Sequence, residues 1–191
     1  MDSSQFGLRF SHIGIYVTDI DALSRFYKDM LGYTETDRGE LEGPEGKFGL
    51  VFLSRDPDEH HQIVMVAGRP TGLTFNTINQ ISMKADSVET LQKYYRILQQ
   101  SPATEITAIT HGNAISVYFC DPERNRVELY VDTPWYVSQP CRVEAPIESS
   151  PAELMAWAEC HARSLPGFRP RSEWRREMER RMQADRQRTG T

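Results

Sequence analysis

The chain has 191 residues, of which 39% are hydrophobic and 26% charged, a composition that suits one solid core or two small fused units. No apolar run approaches the roughly 20 residues of a membrane-spanning helix, and Met1–Gln5 holds no basic stretch leading into an apolar one, so neither a spanning helix nor a secretory signal is expected and a cytoplasmic location is. The net charge of −5 divides into +4 from Arg169 onward and −9 before it, and so acidic a body argues against nucleic acid as a partner.

In chain order, a strand is predicted over His12–Val17, then a helix whose Ile20, Leu23, Phe26, Tyr27, Met30 and Leu31 recur at helical spacing until Gly32 stops it. Short strands follow at about 34–38, 47–53 and 62–66. The same order returns at an offset of 68 residues. Gln80–Ala85 is the second opening strand, and Asp86 or Ser87 caps a helix with Val88, Leu91, Tyr94, Tyr95 and Leu98 as its stripe. Strands at about 105–110, 114–120 and 126–131 complete it. The predicted fold is α+β: two paired βαβββ modules, about 8–68 and 76–133, forming a cupped mixed sheet with a helix behind each half.

Alternation along the strands separates two faces. Ile13, Ile15 and Val17, Ile81 and Met83, Val117 and Phe119, and Val127 and Leu129 share the apolar face. His12, Tyr16, Gln80, Ser82, Ser116, Tyr118, Glu128 and Tyr130 fall on the other, an unusually polar face for strands so apolar behind. A site is expected there.

Beyond residue 133 the pattern changes. The proline-bounded Pro134–Pro140 segment is expected to lie over a surface rather than join a sheet, with Trp135 and Tyr136 either lining an entrance or capping the core. Ser149 or Ser150 before Pro151 predicts a helix to about Arg163, and another starts near Ser172 with Trp174, Met178 and Met182 as a narrow stripe suited to docking or dimerisation. Residues 134–191 thus form a cover segment and a helical C-terminal extension. Cys120, Cys141 and Cys160, odd in number and widely spaced, read as reduced thiols.

His12, Gln80 and Glu128 bring one imidazole, one amide and one carboxylate from three strands onto the polar face, a partial coordination sphere for a divalent ion. His60 and His61 are adjacent, so only one faces the cup. His111 precedes Gly112 and Asn113, which also signals a turn, and Tyr118 follows on the polar face. Asp56-Pro57 and Asp121-Pro122 read as structural turns.

The segments Phe10–Asp19, Asn79–Met83 and Tyr118–Leu129 resemble the vicinal oxygen chelate superfamily, which includes glyoxalase I, bleomycin and fosfomycin resistance proteins and type I extradiol dioxygenases. The likeness covers residues 8–133 and is nearest to single-domain extradiol enzymes. It implies a metal held by His12, Gln80 and Glu128, with Fe(II) expected and Mn(II) or another divalent ion as the alternative. It also implies a catechol-like substrate and O2, His61 as a pocket histidine at the oxygen side, His111 as acid-base catalyst with Tyr118 as its partner, and a homodimer. Gln80 departs from the pattern, because the extradiol enzymes carry a second histidine ligand there. The other readings are a metal-dependent lyase or isomerase of the glyoxalase type, against which the absence of a carboxylate in Gln62–Val66 counts, and a small-molecule binding protein.

Overall fold

The computed structural model describes residues 9–44, 46–73 and 75–189; Met1–Gln5 lies outside the described residues. They fall into two units, the first ending at Asn79 and taking in Asp121–Asn125, the second holding the remainder from Gln80. Both opening motifs are present as strand followed by helix.

The first unit is a four-stranded mixed sheet in the order β1-β4-β3-β2, with β1 (Ile13–Val17), β2 (Thr34–Gly43), β3 (Gly46–Ser54) and β4 (Ile63–Ala67). β1 and β4 run parallel with Ile13 opposite Ile63, and the remaining pairs are antiparallel. Helix α1 (Ile20–Leu31) packs on β3 and β4 with Leu23, Phe26, Tyr27 and Leu31 buried. It starts where Asp19 accepts a hydrogen bond from the Ala22 N–H and stops at Gly32, whose φ of 69° is the left-handed value that glycine adopts without steric cost.

The turn at 121–125 completes this unit. Asp121, 1% exposed, accepts from the Tyr27 hydroxyl at 3.2 Å and from the Glu123 and Asn125 N–H groups. Glu123 accepts from the N–H groups of Thr18 and Asp19, at 2.8 and 2.6 Å, just ahead of α1. A carboxylate there satisfies donors that the helix start leaves open and meets the positive end of the helix dipole. The expectation that Asp121 shapes a turn holds, with the addition that the Asp121 side chain is buried.

The second unit is a five-stranded sheet in the order β10-β6-β7-β8-β5: β5 (Ile81–Lys84), β6 (Thr104–Thr110), β7 (Ala114–Cys120), β8 (Arg126–Asp132) and β10 (Val143–Glu144). β5 and β8 are parallel, with Ser82 opposite Glu128, and the others are antiparallel. Helix α2 (Val88–Gln99) is capped by Ser87, whose hydroxyl accepts from the Thr90 N–H at 3.1 Å. Val88, Leu91 and Leu98 are buried as predicted, but Gln92, rather than Tyr94 or Tyr95, completes the buried face. Its amide donates to the carbonyls of Ile147 and Ser149, in the chain leading to the tail.

The tail corrects one reading and decides another. Trp135–Tyr136 (β9) pairs with Arg169–Pro170 (β11) in a small antiparallel sheet instead of lying free of one, and Val143–Glu144 joins the edge of β6. Trp135 is 6% exposed and donates from Nε1 to the Gly112 carbonyl, so it belongs to the core. α3 (Pro151–Arg163) begins at Ser150 in a full capping box with Glu153, and α4 spans Arg171–Thr189. Trp174, part of the stripe suited to docking or dimerisation, stacks on Tyr136 of its own chain at 5.4 Å, whereas Met182 remains 56% exposed. All three cysteines are free thiols, and among the described residues no helix is long and apolar enough to cross a membrane.

Candidate functional site

In the first unit, His12 stands just ahead of β1 and His61 just ahead of β4, and the parallel pairing of those strands brings the rings together at 4.3 Å between centroids. His60 is exposed and places its Nδ1 2.9 Å from Nδ1 of His61. His61 is half-buried, with Phe52 edge-on to its ring. Burial, reinforced by the neighbouring His12 and His60, pushes His61 below the usual histidine range and favours its neutral form.

The second unit gathers Gln80, Ser82, His111, Tyr118 and Glu128. Tyr118 and Glu128 are direct cross-strand partners on β7 and β8, 5% and 7% exposed. The Tyr118 hydroxyl donates to Glu128 Oε1 at 2.6 Å, while Oε2 accepts from the Ser82 hydroxyl at 2.6 Å and the Gln80 amide at 2.8 Å. On the far side of Tyr118, its oxygen lies 3.1 Å from Nε2 of His111. Burial, then the bond and charge of Glu128, push the phenol up to about 12, so it stays protonated at neutral pH.

The outer nitrogen of His111 is held by the tail. Nδ1 lies 2.7 Å from the carbonyl oxygen of Cys141, an atom that can only accept, so Nδ1 carries a proton. Gln139 clamps the same stretch, its amide donating to the His111 carbonyl at 2.7 Å and accepting from the Cys141 N–H at 3.2 Å.

With Nδ1 protonated and the Tyr118 hydroxyl donating to Glu128 Oε1, a neutral His111 has a bare Nε2 that can take up one further proton, which then lies in the Nε2···O link. Once that proton is taken up, one arrangement is imidazolium, phenol and carboxylate; moving both protons one step gives neutral imidazole, phenol and carboxylic acid. The two differ only by a shift along the chain, the behaviour of a relay between His111 and Glu128.

Among the described residues no group of three or more His, Cys, Asp or Glu side chains is gathered to hold a metal ion; beside Glu128 stand the Ser82 hydroxyl and Gln80. Its amide nitrogen faces Glu128 Oε2 at 2.8 Å, close to the spacing of about 3 Å between adjacent oxygen ligands of one ion at about 2.1 Å. A half-turn of the amide exchanges nitrogen for oxygen at nearly the same position. Two oxygens that close repel unless a cation lies beside them, so the pair fits a metal with the amide turned and fits a hydrogen bond as it stands.

A sequence profile of the Glyoxalase/Bleomycin resistance protein/Dioxygenase superfamily matches residues 9–129. The chain belongs to this superfamily. Its relatives include biphenyl-2,3-diol 1,2-dioxygenase 2 of Rhodococcus globerulus, 26% identical over 129 residues that make up 65% of this chain and 63% of the relative. The chain therefore matches less than two thirds of that enzyme's length. Among solved structures, a glyoxylase/bleomycin resistance protein/dioxygenase domain from Frankia sp. EAN1pec matches 64% of this chain and 96% of its own at 21% identity and a TM-score of 0.54. Leishmania major glyoxalase I matches 64% and 85%, at 21% identity and a TM-score of 0.51. At such identities both show the superfamily fold alone.

Of the predicted residues, His12 and His61 meet in one unit and Gln80, His111, Tyr118 and Glu128 in the other. Ser82 was legible as a polar-face residue two positions from Gln80 but not as a partner of Glu128. The Cys141 carbonyl, a main-chain atom 30 residues from His111, has no signature in a sequence.

Proposed function

We propose that the protein is an extradiol-type dioxygenase that opens a catechol-like ring with O2, breaking the bond next to the two hydroxyls. The observation that carries this reading is the continuous contact His111–Tyr118–Glu128, which puts a tautomer-fixed imidazole at one end of a two-proton chain. The likeness to a biphenyl-2,3-diol dioxygenase supports it. His12, Gln80 and Glu128 are the residues that would hold Fe(II), which when bound supplies a Lewis acid at which vicinal oxygens and O2 meet.

The protein's own groups carry the protons. His111 Nε2 takes the proton of a substrate hydroxyl and returns it to the opened product, and Tyr118 passes charge between Nε2 and Glu128 Oε1. His61, kept neutral by burial and its imidazole neighbours, serves the oxygen side as an uncharged hydrogen-bond donor.

The Gln80–Glu128 hydrogen bond favours a second reading, a small-molecule receptacle that uses no metal. Anaerobic loading with Fe(II), metal analysis and oxygen uptake against a panel of catechols separate the two. A dioxygenase binds iron, consumes oxygen and forms a yellow ring-fission product, all lost in His12→Ala and Glu128→Ala. Bound iron without oxygen uptake points to lyase or isomerase chemistry, and ligand affinity that survives both substitutions points to the receptacle.

A further inference from the structure

The second unit holds a recess of about 240 Å³ whose wall includes the ring of Tyr118 together with Glu105, Thr107, Cys120, Arg126 and Arg142. It opens where β6 is bulged against β7 between Thr104 and Thr107, and within that bulge Glu105 takes the left-handed φ of 55°. A bulge bends the strand and re-aims its side chains, and a non-glycine residue holds this conformation only where its surroundings impose it. The irregularity therefore creates space on the same side as Tyr118, since Thr107 and Tyr118 are cross-strand partners.

Two cations face this space. The Arg126 guanidinium lies over the Tyr118 ring, 4.5 Å from its centroid, a stacking that fixes its plane without consuming its N–H donors. Arg142 is delivered by the tail, immediately before the Val143–Thr110 pairing that anchors β10 to β6. Among the described residues neither guanidinium enters an ion pair or donates a hydrogen bond. The carboxylate on the wall, Glu105, accepts from the Cys120 thiol at 3.5 Å, and two guanidinium groups against one carboxylate leave the recess positive. Oriented guanidinium edges beside an aromatic wall suit a planar carboxylate on a small ring.

We propose that this recess is an anion subsite, in which Arg126 and Arg142 bind the carboxylate of an aromatic acid. Resting on the dioxygenase reading, it makes the substrate a catechol that carries a carboxylate. Arg142 lies outside residues 9–129, the stretch shared with the superfamily, so this choice of substrate is a property of the tail.

The test is calorimetric titration of the full chain with benzoate, phenylacetate and 3-phenylpropanoate, each against its uncharged amide. A charge-assisted contact of about 1.5–3 kcal/mol predicts that at least one acid binds roughly ten- to hundredfold more tightly than its amide. Arg126→Gln and Arg142→Gln each reduce that preference, with the amides unaffected, and Arg126→Lys retains part of it. Arg142 is exposed, so its substitution leaves the fold intact. Equal affinity for every acid and its amide, or a preference that survives in the Arg126→Gln/Arg142→Gln double variant, overturns the proposal. Because the readout is binding, an acid preference without ring cleavage upholds the subsite while sinking the dioxygenase, and cleavage of catechols without acid preference does the reverse.

Discussion

His111 Nδ1 lies 2.7 Å from the main-chain oxygen of Cys141, so a residue of the C-terminal cover decides which imidazole nitrogen is presented to Tyr118. Gln139 holds that cover by two hydrogen bonds. Gln139→Ala is expected to lower kcat by roughly fivefold, the equivalent of about 1 kcal/mol, with KM little changed. Nitrogen NMR should then find His111 in a mixture of tautomers; a single tautomer with unchanged kcat would remove the strap from the mechanism.

Tyr118→Phe keeps the ring beneath Arg126 and deletes the oxygen that both links share. Loss of a positioned proton carrier costs about 10²-fold or more, and the pH–rate profile should lose one of its limbs. A variant with wild-type rate and profile would reduce Tyr118 to a packing role.

Gln80→His supplies a second imidazole in place of an amide that bonds to Glu128. Imidazole suits iron better than an amide oxygen, so Fe(II) affinity should rise by roughly tenfold or more, measured by competition with a chelator. Unchanged affinity would mean that residue 80 does not ligate.

Glu35 accepts hydrogen bonds from Arg38 and Lys28, which hold its carboxyl at about 2 against an ordinary 4.5. The folded protein thus binds fewer protons at this group than the unfolded chain. Its stabilisation is complete above pH 4.5 and disappears as the pH falls through 2. Glu35→Gln should flatten the dependence of Tm on pH across that interval, and an unaltered slope would show that the ion pairs do not persist in solution.

Gly112 has a φ of 74°, and a Cβ built on it would run into Val137 Cγ2. Gly112→Ala therefore combines backbone strain with a clash against the cover next to His111. A loss of about 2–4 kcal/mol is expected from denaturant unfolding, with kcat falling as the His111 strap shifts.

The repeated strand–helix order, the two helices and the polar face were legible because alternation and helical spacing act over neighbouring residues. Gln80, Tyr118 and Glu128 were readable for the same reason: Tyr118 and Glu128 sit on strands, and Gln80 just ahead of one, whose apolar partners fix their side. Gln92 shows the limit, since a glutamine in a helical stripe reads as solvent-facing until the chain at Ile147 and Ser149 supplies its acceptors. Arg126 and Arg142 were equally silent. A guanidinium declares its use only when a tyrosine ring lies beneath it or a bulge opens beside it, and neither is written in local spacing.

The turn at 121–125, with Asp121 buried at its head, has a consequence for how the protein is made. Tyr27 finds its hydroxyl partner, and Thr18 and Asp19 their acceptor, in residues that leave the ribosome about a hundred positions later. A nascent chain that ends at Asn79 contains the whole first sheet, yet its Tyr27 hydroxyl lacks Asp121 and its first helix lacks Glu123. The two halves of the repeat are therefore not separable cassettes, and the earlier one closes only after most of the later one has been synthesised.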